Sequence, residues 1–145
     1  MKKMLVLMCA MLLTVSLAFA RDKVTKDVSS LPVMAREMIQ THFTNAGVEY
    51  LKVKSRALVE GYEVFLSDGS ELEFDRKGRW TDVENKHRAV PSSLIPAAVQ
   101  KYLGTYYPNQ RVVEIKQKRR GYELKLVNGL ELVFDKKGKF KHLDD

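Results

Sequence analysis

Three histidines, His42, His87 and His142, are the first residues to test for chemistry, because imidazole can ligate a metal or carry a proton near neutral pH. No two of them fall at the spacing a helix or hairpin needs to present a ligand pair, and the one cysteine, Cys9, lies in an apolar N-terminal run far from all three. His42 borders an apolar helical stripe and reads as a packed or rim histidine. Glu71 and Glu73, two positions apart, would share one face of a strand, the start of a carboxylate pair, but nothing near them supplies an acid–base partner in a pocket. The serines lack the flanking glycines of a nucleophile elbow. Asp75 and Asp135 each stand three residues before a glycine, as "DRKG" and "DKKG". A calcium loop needs oxygen ligands at alternating positions, whereas these loops supply lysine and arginine. Both aspartates are expected to bond turn amides instead. The reading is of a non-enzyme with no metal site and no cofactor.

The composition bounds what remains. The N-terminus places two lysines before the run "MLVLMCAMLLTVSLAFA" and closes it with Ala18-Phe19-Ala20 ahead of "RDK", the pattern of a secretory signal cleaved after Ala20. The competing reading, a retained anchor, is limited by the run's 17 residues, at the short edge of what spans a bilayer. Cleavage removes Cys9, Lys2 and Lys3, so the mature chain has no disulfide and its formal charge falls from +7 to +5. A mild basic excess interleaved with acids, in an exported chain, argues against nucleic acid as a partner. Localisation is expected to be periplasmic or secreted, with no membrane span after cleavage.

The elements that would position any site emerge from a repetition. "GYEVFLSDGSELEFDRKG" at 61–78 returns as "GYELKLVNGLELVFDKKG" at 121–138, and 11 of 23 positions are identical when 61–83 is set over 121–143. Such self-similarity marks two copies of one supersecondary unit. Each copy opens on an amphipathic helical pattern. The first has Ala35, Met38, Ile39, Phe43 and Ala46, with Pro32 at its start and Gly47 as its stop. The second has Ile95, Ala98, Val99, Tyr102, Leu103 and Tyr106, with Ser92 or Ser93 as its cap and Pro108 beyond its end.

The hairpins can be registered by pattern alone. A three-residue loop, Ser67-Asp68-Gly69 with glycine left-handed, pairs Leu66 with Ser70, Val64 with Leu72 and Tyr62 with Phe74, so apolar faces apolar. A two-residue loop would set leucine against glutamate. The second copy gives Leu126 with Leu130, Leu124 with Leu132 and Tyr122 with Phe134. Gly78 and Gly138 as left-handed turn residues bring Phe74 opposite Trp80 and Phe134 opposite Phe140. Leading strands "YLKVKSRA" and "RVVEIKQK" turn Leu51, Val53, Val113 and Ile115 inward.

The expected fold is α+β: two tandem units, each a helix plus a four-stranded antiparallel meander, forming one curved sheet with both helices on one face. The divisions are a signal at 1–20, a flexible lead-in at 21–30, units at 31–84 and 92–145, and a connector at 85–91. Each unit alone is too small to bury a secure core, and joining them shares one. The uncovered face then carries Lys52, Lys54, Glu63, Phe65, Glu71 and Glu73 from the first unit. From the second it carries Val112, Glu114, Glu123, Lys125, Glu131 and Val133. The residues expected to bind there are Lys52, Lys54, Glu63, Phe65, Glu73, Val112, Lys125 and Val133.

The doubled "GYE" strand, the "D/N-G" turn, the "F-D-x-K-G" turn, and the "LP" or "IP" before each helix resemble the PepSY-like, beta-lactamase-inhibitor-like family of exported bacterial proteins. The resemblance spans about residues 29–145. It implies tandem helix-plus-meander units in one curved sheet, an envelope or secreted setting, and a role in binding or restraining other proteins, proteases and lactamases among them. The mature chain departs from the inhibitor in having no cysteine where the inhibitor is disulfide-stapled. None of the inhibitor's target-contacting loops has a match here, so no inhibitory residue is carried over. The functional expectation is a protein- or peptide-binding module of the cell envelope. The alternative is an envelope-surface or small-ligand binder acting through Lys116, Lys118, Arg119 and Arg120.

Overall fold

A computed structural model describes residues 22–144, so the signal sequence expected at 1–20 lies outside the described residues. In chain order the strands are β1 (Lys23–Thr25), β2 (Val48–Ser55), β3 (Val59–Leu66), β4 (Glu71–Asp75), β5 (Trp80–Glu84), β6 (Val112–Lys118), β7 (Gly121–Leu126), β8 (Glu131–Asp135) and β9 (Phe140–Asp144). Helix α1 (Val33–His42) precedes β2, and α2 (Ala97–Tyr106) precedes β6. The strands form a single antiparallel nine-stranded sheet in sequence order, so the class is α+β.

Alternation along the strands sets the core face. Leu51, Val64, Leu72, Val83, Ile115, Leu124 and Leu132 form a row across seven strands and are at most 1% exposed. Each such side chain contributes about 1.5–3 kcal/mol by leaving water. The helices cover this row through Ala35, Met38, Ile39, Val99 and Leu103. Tyr102 of α2 stacks on Phe140 at 4.8 Å and meets Phe134 edge-on at 5.4 Å, which fastens that helix over the last hairpin.

The hairpin registers follow the sequence pattern. Val64 pairs with Leu72, Tyr62 with Phe74, Leu124 with Leu132 and Tyr122 with Phe134. The Leu66 and Leu126 amides donate to Ser70 O and Leu130 O across turns in which Gly69 and Gly129 have φ of 86° and 90°. Phe74 faces Trp80 and Phe134 faces Phe140. Asp75 accepts from the Lys77 and Arg79 amides, and Asp135 from those of Lys137 and Lys139, as expected of turn aspartates. At Asp135 the hydrogen bond donated by the Lys139 amide, with that from Lys137, holds the carboxyl below its ordinary range against a smaller effect of burial.

Several expectations are corrected. Val112, expected on the uncovered face, is 6% exposed and pairs with Leu126 on the core side. A bulge between Val112 and Glu114 makes Val113 the extra residue, so Val112 turns inward in its place. Residues 23–25, expected within a flexible lead-in, pair with β2 as β1. Ser92 and Ser93 do not cap α2; they form a separate 3-10 turn, and Pro96 stands at the N-cap. The first helix ends at Phe43 rather than Gly47, with Phe43 buried beyond the last turn. Its His42 sits at the rim, with Nδ1 2.7 Å from Ser93 Oγ.

Sheet and connector are joined by a buried polar residue. Asn85 is 2% exposed; its amide group donates to Asp68 O and Ser70 Oγ at 3.1 Å, and its Oδ1 accepts from the His87 and Arg88 amides. The segment after β5 is thereby tied to the β3–β4 turn.

Candidate functional site

The face of the sheet opposite the helices holds the residues expected to bind, and the registers arrange them in rows. One row runs Val24, Lys52, Glu63, Glu73, Asp82, Lys116, Glu123, Val133 and His142 across all nine strands. The next runs Tyr50, Phe65, Glu71, Glu84, Glu114, Lys125 and Glu131. Lys52, Lys54, Glu63, Phe65, Glu73, Lys125 and Val133 are all on this face, whereas Val112 is not.

At one end the face is aromatic. Phe65 stacks on Tyr50 with ring centroids 4.4 Å apart and planes 16° from parallel, and Lys52 Nζ lies 5.1 Å from the Phe65 centroid. Such a cation over a ring is worth about 0.5–1 kcal/mol on an exposed surface. The Tyr50–Phe65 pair continues the alternation through Lys52 and Glu63, and the bulge between Val48 and Tyr50 turns Val48 to the core side opposite Leu66. Beside it, Lys54 Nζ spans Glu63 Oε2 at 3.5 Å and Glu73 Oε1 at 3.2 Å. Partial burial lowers the Lys54 pKa, but the two carboxylates outweigh it and hold the ammonium above its ordinary value.

The middle of the face is acidic although the whole chain carries +7. Within the two rows, carboxylates outnumber lysines, and Glu84 directly opposes Glu114 where β5 meets β6. Asp82 sits in this region with Oδ1 buried and without a hydrogen-bond partner. Burial, reinforced by Glu114 and by Glu73 and Glu84, pushes its carboxyl from 3.8 up to about 7, with Lys116 opposing. Lys116 gives its ammonium to Glu114 at 3.2 Å, so it does not neutralise Asp82 by contact. Farther along, Lys125 pairs with Glu131 at 3.2 Å.

Sequence reasoning missed Tyr50, Asp82 and His142. Tyr50 was accessible, being two positions from Lys52 on the same strand. Asp82 and His142 were not, because bulges at Thr81 and Lys141 switch the face after Trp80 and Phe140. Among the described residues no group of three or more His, Asp or Glu could hold a metal ion, and no helix is long and apolar enough to cross a membrane.

The fold is shared with known proteins. The family model described as "Putative beta-lactamase-inhibitor-like, PepSY-like" matches residues 60–142. A crystal structure from Bacteroides vulgatus ATCC 8482, described as "a putative periplasmic protein of unknown function", is 46% identical with a TM-score of 0.81, over 86% of this chain and 100% of its own. A second, "a putative calcium-regulated periplasmic protein" from Bacteroides thetaiotaomicron, is 40% identical with a TM-score of 0.79, covering 86% of this chain and 97% of its own. A third, another "putative periplasmic protein" from Bacteroides vulgatus ATCC 8482, is 36% identical with a TM-score of 0.78, covering 87% and 98%. No curated protein matches.

Proposed function

The chain belongs to the PepSY-like, beta-lactamase-inhibitor-like family, and from that premise we propose that it is a non-enzymatic periplasmic module that seats a protein or peptide against its uncovered sheet face. The observation that carries this reading is the Tyr50–Phe65 stack, an aromatic pair held on a face that neither helix covers and framed by Lys52 and Lys54. Aromatic anchors within a charged rim are the usual source of binding energy at protein interfaces. The relatives described as periplasmic and the signal-like N-terminus support the compartment. Inhibition of a partner enzyme is one form such binding could take.

In this reading the sheet consists of two copies of a helix-plus-four-strand unit, 31–84 and 92–145, joined through 85–91. Matching registers support it: Gly61–Asp75, Tyr62–Phe74 and Val64–Leu72 have counterparts in Gly121–Asp135, Tyr122–Phe134 and Leu124–Leu132. The duplication yields a platform wide enough to seat a partner, and its two ends have diverged in chemistry.

The test is capture of partners from an envelope extract by the exported protein and by a Phe65→Asp variant. The variant should keep its fold, since Phe65 is on the wet face, and should lose the partner. Recovery of the same partner by both forms would overturn the assignment of the site.

A further inference from the structure

The β3–β4 and β7–β8 hairpins contain the same glycine gap on the uncovered face, and only one of the gaps is filled. Gly61 lies between Lys54 and Asp75, and Gly121 between Lys118 and Asp135. Neither glycine tolerates a side chain: a Cβ on either would strike the facing carbonyl, Phe74 O or Phe134 O. In the first hairpin Lys54 crosses the gap because Glu63 and Glu73 both receive it. In the second, Val133 stands in the row where Glu73 stands in the first, so Lys118 reaches only Glu123, at 3.5 Å. The ammonium is held to one side, and an open cavity of about 560 Å3 remains beside Gly121 and Val133.

We propose that this cavity binds a small amphiphilic anion: a compact apolar body seated on Val133 and the Gly121 backbone, with one carboxylate or phosphate facing the cationic rim. Its volume lies within the range typical of small-ligand sites, about 300–1,000 Å3. The rim is supplied by Lys118 at the end of β6, Arg119 and Arg120 of the β6–β7 turn, and Lys141 of β9. The two carboxylates in the lining are already engaged. Glu123 is paired with Lys118, and Asp135 accepts the Lys137 and Lys139 amides at 2.9 Å each. Four cations against two carboxylates leave the lining with a net positive charge, and guanidinium groups recognise planar or tetrahedral anions by forked hydrogen bonds. The site is distinct from the aromatic end of the face, so a ligand here need not compete with a partner at Phe65.

The experiment is amide NMR titration of the exported protein with octanoate. Acetate, which has the charge without the body, and 1-octanol, which has the body without the charge, serve as comparisons. Octanoate should give saturable shifts confined to Gly121, Val133, His142 and their neighbours, with neither comparison matching it. Val133→Glu would place a second carboxylate beneath Lys118, as Glu73 lies beneath Lys54, and should weaken octanoate by at least about tenfold. Arg119→Ala/Arg120→Ala, which leaves the sheet untouched, should weaken it by a similar factor and flatten its salt dependence. Equal binding of 1-octanol and octanoate, or shifts spread over the whole face, would overturn the proposal. So would binding to phosphatidylglycerol vesicles with no binding of free octanoate, or undiminished binding by both folded variants.

Discussion

Replacing Asp82 with asparagine should stabilise the protein above neutral pH and leave it nearly unchanged below about pH 4. Asp82 occupies the row between Glu73 of β4 and Lys116 of β6, with Glu84 two residues on and Glu114 on the adjoining strand. Its Oδ1 is buried without a donor, and its carboxyl is raised from 3.8 to about 7, first by burial and then by Glu114. Because the folded state holds this proton more tightly than the unfolded chain, the group's contribution to stability is greatest below pH 3.8 and is lost as pH climbs through about 7. At 1.36 kcal/mol per tenfold change in acidity, the full displacement corresponds to about 4 kcal/mol. The side chain is only partly buried, so water screens these charges, and a net effect of about 1–2 kcal/mol is expected. Urea unfolding of both proteins from pH 4 to 9 measures this directly. The midpoint gap should open between about pH 4 and 7 and level off above that, at constant m-value. A gap independent of pH, or an asparagine variant that is the less stable at pH 8, would refute the placement of Asp82 among uncompensated carboxylates.

Other substitutions probe the remaining assignments. Val112→Ala should cost about 1–2 kcal/mol and Val133→Ala less than about 0.5 in the same urea assay, since one side chain is in the core and the other on the open face. Gly138→Ala should destabilise by at least about 2 kcal/mol, because φ of 80° disfavours a side chain and the new Cβ would lie 2.8 Å from that of Ala98. Gly129→Ala, at φ of 90° with no heavy atom within 4 Å of the new Cβ, should show the backbone strain alone, about 1 kcal/mol, by thermal melting. Lys54→Ala should lower stability by no more than about 1 kcal/mol, a difference that 0.5 M salt reduces, because its bridges to Glu63 and Glu73 are partly exposed.

The candidate site was partly legible. Lys54, Glu63 and Glu73 share a face because strands alternate and hairpin turns fix register, and both rules act within about 15 residues of sequence. The Tyr50–Phe65 stack was within reach of the same rules, since Tyr50 is two residues from Lys52 and Phe65 two from Glu63 in unbroken register. The cavity beside Gly121 was not legible at all. The sequence offered Lys118, Arg119 and Arg120 as basic residues for an alternative ligand binder but placed no cavity beside them, and only the failure of Lys118 to cross to Val133 leaves the space open.

By itself the sequence determined the two amphipathic helices, the inner hairpin registers and the aromatic pairs Phe74–Trp80 and Phe134–Phe140. All of these rest on local periodicity and on glycines at turns with positive φ. Tertiary structure alone decided which way β6 faces at Val112, and that Asp82 and His142 point outward. It also decided that Lys23–Thr25 joins the sheet and that the single sheet expected from the repeat is joined through β5 and β6. The physical reason is that a bulge shifts a strand by one residue at small local cost. Whether that shift is favoured depends on what the neighbouring strand and the covering helix present, which a single strand's own pattern does not contain.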